Sequence, residues 1–114
     1  MDERFAQQLK KGVLEMLVLK HVCREATYGY ELLSRLKEGS EGMFSLKEGT
    51  LYPILYRLED EGMIAASWTA GEGKVAPKKI YTATEKGREE NLRRQVHWKE
   101  FTAMVNTMLG EEEK

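Results

Sequence analysis

The sequence has almost no charge surplus to offer a partner. Its 114 residues carry 18 Lys and Arg against 19 Asp and Glu, a formal net charge of −1. The overall basicity that marks many chains binding polyanions is therefore absent. Splitting the chain changes little: residues 1–83 hold 12 basic against 12 acidic side chains, and residues 84–114 hold 6 against 7. Any electrostatic footprint must come from local clustering. Cysteine is reduced to Cys23, which excludes a disulfide framework within the chain and fits a reducing compartment. Within the apolar first helix it reads as an inert core thiol. A secretory signal is missing, because the opening MDERFAQQLKKG is charged and polar. Long hydrophobic runs are missing as well. The best stretch, VLEMLVLKHVC, is interrupted by Glu15, Lys20 and His21 and is too short to span a bilayer. A cytoplasmic protein without a membrane partner is expected. His21 and His97 stand apart, without metal-ligand spacing to other donors, so no metal is expected. Neither a nucleophile–base pair nor a phosphate-cradling loop or cofactor fingerprint is present. No catalytic residue and no cofactor are expected, and the chain does not read as an enzyme.

What is present is a clear order of elements. Residues 8–24 predict a first helix, with Val13, Leu14, Met16, Leu17, Val18, Leu19 and Val22 making it apolar nearly all round. Such a helix is buried on more than one side, and in so small a chain a second subunit is the expected cover. TYGYELLSRLKE, residues 27–38, predicts a second helix with Thr27 as N-cap and Leu32, Leu33 and Leu36 inside. The turn Gly39-Ser40-Glu41-Gly42 ends it. The third helix has two candidate starts. Ser45-Leu46-Lys47-Glu48 matches a capping box, and Thr50 is a competing cap. Under the Thr50 start, Pro53 falls in the first turn, where a missing N–H costs nothing. Under the Ser45 start, it leaves the Gly49 carbonyl without its partner. Gly62 stops the helix. MIAASWTA, residues 63–70, and KKIYTA, residues 78–83, read as two strands of a hairpin around the turn GEGKVAP. Thr84 caps a last helix from about 85 to 109, with Glu85 in its first turn and a stripe of Leu92, Val96, Phe101, Met104, Val105, Met108 and Leu109. Glu111 to Lys114 reads as a solvated tail.

Three helices and then a hairpin give a mainly α fold with a β-hairpin, the order of a winged helix-turn-helix. The stretches YGYELLSRL, EGTLYPILYRLEDEGMI and KKIYTATEKG resemble the PadR family of bacterial transcriptional regulators. The family pattern is matched in order at residues 28–32, 49–59 and 79–87. At the wing tip Gly73-Lys74-Val75-Ala76-Pro77 replaces the Gly-Gly-Arg-rich sequence often seen there. The resemblance implies residues 1–83 as a winged helix-turn-helix and 84–114 as a compact C-terminal dimerisation helix and tail, within one structural domain. It implies a homodimer on double-stranded DNA with a pseudo-palindromic site, and a repressor role.

Leu51, Ile54, Leu55 and Leu58 fasten the third helix to the core. Thr50, Tyr52 and Pro53 lie at its entrance, the end that reaches bases in this motif, and Lys47 supplies phosphate charge there. The alternative for Tyr52 is packing on the second helix, and for Pro53 that it is merely tolerated at the helix entrance. For Arg57, Asp60 and Glu61 of the same helix are partners within reach. Lys74, Lys78 and Lys79 on the wing stand against Glu72 alone and suit phosphates or the minor groove; the alternative is that they are solubilising charges of an exposed hairpin. Val13, Leu17, Leu92, Val96, Trp98, Phe101, Val105 and Met108 are the expected dimer interface. In drug-sensing members of the family a tryptophan on this helix faces its symmetry mate across a pore and stacks flat aromatic ligands. Trp98, eleven residues after Gly87 and beside His97 and Phe101, matches that placement and is the candidate for binding a small aromatic or cationic effector. The alternative is that Trp98 fills the dimer interface. A different class of function also fits the neutral charge: a winged-helix module that docks a protein and never touches DNA.

Overall fold

In the computed structural model, which describes residues 3–110, the order is α1 (Glu3–Arg24), α2 (Gly29–Gly39), α3 (Glu48–Asp60), β1 (Ile64–Trp68), β2 (Lys79–Ala83) and α4 (Glu85–Leu109). The predicted elements are all there, and α4 has the expected limits. α1 begins earlier than residue 8. The tail from Glu111 to Lys114 lies outside the described residues.

The helix starts differ from expectation at two places. Thr27 does not cap α2. Tyr28 holds the N-cap position without a side-chain hydrogen bond. The Thr27 backbone is used elsewhere: it exchanges both hydrogen bonds with Tyr81 of β2, at 3.1 and 2.7 Å. Its buried hydroxyl donates to Glu31 at 2.9 Å. Thr27 thus extends the hairpin by one bridge, and the sheet's demand for a backbone partner fixes it as extended. At α3 neither Ser45 nor Thr50 is the cap. Lys47 is, again without a side-chain bond, while the Ser45 hydroxyl donates back to the Gly42 carbonyl at 2.9 Å. Pro53 therefore sits inside the helix and leaves the Gly49 carbonyl without an N–H. Both residues are exposed, so water can take up that carbonyl.

The end of α3 is a Schellman motif around Gly62, whose φ of 76° is readily accessible to glycine. Gly62 N–H donates to Glu59 O at 3.0 Å and Met63 N–H to Leu58 O at 2.9 Å. The chain then turns directly into β1. β1 and β2 pair antiparallel, with Ala66 opposite Tyr81 and Trp68 opposite Lys79. Leu14, Val18, Leu19 and Val22 of α1 meet Leu32 and Leu36 of α2, Leu51, Ile54, Leu55 and Leu58 of α3, and Met63, Ile64 and Tyr81 of the hairpin in one core. Burying each such aliphatic side chain contributes about 1.5–3 kcal/mol before entropy is counted.

α4 is held at its first turns and then leaves the body. Thr84 caps it: its hydroxyl accepts from Gly87 N–H at 3.0 Å and donates to the Gly62 carbonyl at 2.6 Å. Gly87 and Asn91 are its buried residues. Beyond them Leu92, Val96, Phe101, Met104, Met108 and Leu109 are each more than half exposed. The chain is correspondingly long, 62 × 32 × 21 Å.

Candidate functional site

Two surfaces gather the sequence-predicted residues. The first is α3 with the hairpin beside it. Leu51, Ile54, Leu55 and Leu58 are buried as expected. The opposite side of the helix entrance presents Lys47, Thr50 and Pro53 to solvent. The turn leading into it is tied by Ser40, whose hydroxyl donates to Leu36 O at 2.7 Å and accepts from Phe44 N–H at 2.8 Å. Lys47 and Lys74 have no ion-pair partner among the described residues.

Tyr52 is only partly outward. Its ring lies against the start of α2, where a Cβ on Gly29 would stand 2.2 Å from the Tyr52 hydroxyl oxygen and 2.7 Å from the carbon bearing it. Glycine in the Tyr-Gly-Tyr stretch is thus explained by the close approach of α3. Tyr52 serves helix–helix packing, the alternative already open for it. Arg57 pairs with neither Asp60 nor Glu61. It reaches Glu15 of α1, a helix packed against α3, at 3.6 Å instead.

The wing lysines divide into three situations. Lys74 stands on the exposed turn. Lys78 lies on one face of the hairpin with its ammonium 4.6 Å from the Tyr28 ring centroid, a contact that leaves its charge uncancelled. Lys79 lies on the other face. Its ammonium is 3.8 Å from a Glu59 carboxylate oxygen and 5.5 and 5.4 Å from the Tyr56 and Tyr81 ring centroids. Tyr81 is wholly buried, its hydroxyl lacks a hydrogen-bond partner among the described residues, and burial pushes the phenol pKa up. Tyr28, Tyr56 and Glu59 were not singled out as lysine partners in the sequence, because the pairing of β2 with two helices is a tertiary relation.

The second surface is a groove of about 770 Å³ between α1 and α4. Leu9, Gly12, Val13 and Met16 line one wall, and Glu90, Arg94, His97, Trp98 and Phe101 the other. The structure therefore brings Trp98, His97 and Phe101 to one place with Val13. The Trp98 and Phe101 rings are 6.3 Å apart at 33°, within the range of favourable tilted aromatic pairs. Glu90 accepts from Arg94 at 2.7 Å and from Arg93. The Arg94 hydrogen bond leads in holding its carboxyl below the usual carboxylate pKa, against the opposing effect of burial. Cys23 is half-buried, and burial raises its thiol pKa. Among the described residues no group of three or more His, Cys, Asp or Glu is placed to hold a metal ion. No helix there is long and apolar enough to cross a membrane.

Three helices, the helix-turn-helix pair α2 and α3, and a two-stranded wing followed by a long helix define a winged helix-turn-helix protein. Residues 18–93 match the Transcriptional regulator PadR-like family, and the chain belongs to that family. It is 35% identical over 78 residues to the Negative transcriptional regulator PadR of Bacillus subtilis, covering 68% of this chain and 42% of that protein. The chain thus spans less than half the length of that relative. A solved PadR-family regulator from Eggerthella lenta superposes with a TM-score of 0.84 at 31% identity, covering 94% of this chain and 90% of the other. The structure of Bacillus subtilis PadR in complex with operator DNA superposes with a TM-score of 0.65 at 32% identity, over 74% of this chain and 47% of that one.

Proposed function

We propose that this protein is a homodimeric, cytoplasmic repressor that binds a pseudo-palindromic DNA site and is released by a small aromatic or cationic effector. The observation that carries the DNA reading is the α3 entrance. Lys47, Thr50 and Pro53 are exposed at the end of the helix that enters the major groove in this motif, and the wing rises beside it. Lys47, Lys74 and Lys78 meet phosphates, and Thr50 and Pro53 meet base edges, while Tyr52 packs α3 against α2. Lys79 belongs to the same wing, but its charge is engaged by Glu59 in the free protein.

Dimerisation is supported by α4. Val96, Phe101, Val105 and Met108 are apolar side chains of α4 left exposed by their own chain, and with Leu92, Trp98, Val13 and Leu17 they supply apolar surface for the same helices of a second copy. Residues 84–114 form the dimerisation segment in this reading. A two-fold dimer sets two α3 helices against successive major grooves, about 34 Å apart. The effector reading is supported by Trp98 and Phe101 in the groove. A ligand that prefers the subunit spacing unsuited to DNA releases it.

Selection of bound duplexes from a random pool tests the central reading. A palindromic consensus is the expected result. Failure to enrich any sequence would overturn it and favour the protein-docking module. For the effector, flat cationic dyes titrated into the dimer should quench tryptophan emission saturably in the parent and not in Trp98→Ala. No saturable binding across a varied dye panel would leave Trp98 as interface packing.

A further inference from the structure

Glu59 occupies the last turn of α3, at the helix end where the backbone dipole disfavours a negative charge. Asp60 and Glu61 follow it directly, so the position is electrostatically unfavourable unless a cation answers it. Lys86 answers the backbone there, donating to the Glu61 carbonyl at 2.7 Å. Lys79 answers the Glu59 side chain at 3.8 Å, from the wing face that looks toward α3. The Tyr56 and Tyr81 rings stand 5.5 and 5.4 Å from the same ammonium. An ammonium so placed has a carboxylate and two ring faces around it, and its side chain is 30% exposed. Lys78, on the other face of the hairpin, has a ring but no carboxylate.

We infer that Glu59 is an electrostatic brake on the wing: it holds Lys79 against α3 and withholds one positive charge from the DNA backbone. This rests on the DNA-binding reading above and deepens it by naming which wing charge is not delivered. The near-neutral sequence then has a physical sense. Part of the basic charge beside the recognition helix is cancelled at short range, so backbone attraction, which is blind to sequence, is kept low relative to the base contacts at the α3 entrance.

Each phosphate neutralised by a lysine adds about 0.9 to the slope of log affinity against log salt, which amounts to about eightfold between 1 M and 0.1 M salt. The test is a titration of labelled duplexes of unrelated sequence by the full chain over a range of salt. It compares the parent, Glu59→Gln, Lys79→Ala and the double variant, with melting curves to establish that all four are folded. Glu59→Gln should bind unrelated DNA more tightly than the parent and steepen the slope by about 0.9. In the Lys79→Ala background the same change should leave the slope where it is. Parallel lines for parent and Glu59→Gln would overturn the assignment. So would a steepening that persists without Lys79, since it would reflect the lost negative charge alone. A parent that binds no duplex at any salt would overturn both this inference and the DNA-binding reading, whereas a binding parent with an unchanged Glu59→Gln slope overturns the inference only.

Discussion

Gly87→Ala should destabilise the protein by about 3 kcal/mol, although alanine is the better helix former. Gly87 lies in the first turn of α4, and a Cβ there would stand 1.9 Å from the Met63 carbonyl oxygen, 2.8 Å from its carbon and 3.3 Å from its Cα. Ordinary contact begins at 3.4 Å, so about 1.5 Å must be opened between two backbones. The carbonyl being pushed also accepts from Thr84 N–H and from the Thr84 hydroxyl, both at 3.1 Å. Overpacking of this kind costs about 3 kcal/mol when backbone must move. Weakening the Thr84 bonds adds about 1 kcal/mol, and the gain in helix propensity returns about 1 kcal/mol. The net loss is about 3 kcal/mol. Gly49→Ala is the control. That glycine is exposed near the start of α3 with nothing within 4 Å of an added Cβ, and the change should stabilise by about 0.5 kcal/mol. Urea unfolding at one fixed protein concentration reads both, since oligomerisation makes stability concentration-dependent. A Gly87→Ala protein as stable as the parent would refute the reasoning, because no flexible side chain is there to absorb the clash.

Val105→Glu places a charge among the exposed apolar side chains of α4 and should shift sedimentation at micromolar concentration from dimer to monomer. A stable monomer in the parent would refute the dimer. Lys74→Ala with Lys78→Ala should lower the slope of log DNA affinity against log salt by about 1.8, with similar weakening on all sequences; an unchanged slope would remove the wing from the DNA contacts. The depressed Glu90 carboxyl contributes stability above its ordinary value of 4.5, and that contribution is lost as pH falls through the lower folded value. Glu90→Gln should therefore flatten the acid limb of the stability curve below about pH 4.5, read by urea midpoints. Thr84→Ala should cost about 1 kcal/mol as a lost N-cap, measured in the same way.

Local signals in the sequence located the elements well where the responsible groups are near in sequence. Thr84 and Gly62 act within a few residues of themselves, so their cap and stop were legible, as were the limits of α4. The misassigned starts of α2 and α3 share a cause. Thr27 has good capping chemistry, but its backbone is claimed by Tyr81, a residue far along the chain. Ser45 and Thr50 are good caps too, yet the tight turn after Ser40 delivers Lys47 to the cap position. The apolar anchoring of α3 was legible from spacing. The destination of Arg57 was not, because helical neighbours are visible in sequence and Glu15 on another helix is not. Lys78 and Lys79 are adjacent in sequence and opposite in the sheet. Alternation separates their side chains, but only the packing of the hairpin between Tyr28 and Glu59 gives them different electrostatic surroundings.

The same joints bear on how an effector would act. Thr84 and Lys86 at the start of α4 donate to the Gly62 and Glu61 carbonyls at the end of α3, at 2.6 and 2.7 Å. The close seat of Gly87 on Met63 fills the space between the two elements. The end of α3 and the beginning of α4 are therefore bonded to one another rather than joined through a loose linker. A ligand seated between α1 and α4 near Trp98 would lie beyond this joint, on the part of α4 that faces α1. In the proposed dimer, displacing that length relative to a second copy would carry α3 and the wing with it, because bending at Thr84 would break the cap and separate Gly87 from Met63. Under the proposed effector reading, release by a change of subunit spacing, with each winged helix moving as a rigid body, would demand less internal rearrangement than distortion of α3 within its own chain. The packing of Leu51, Leu55 and Leu58 opposes that distortion directly.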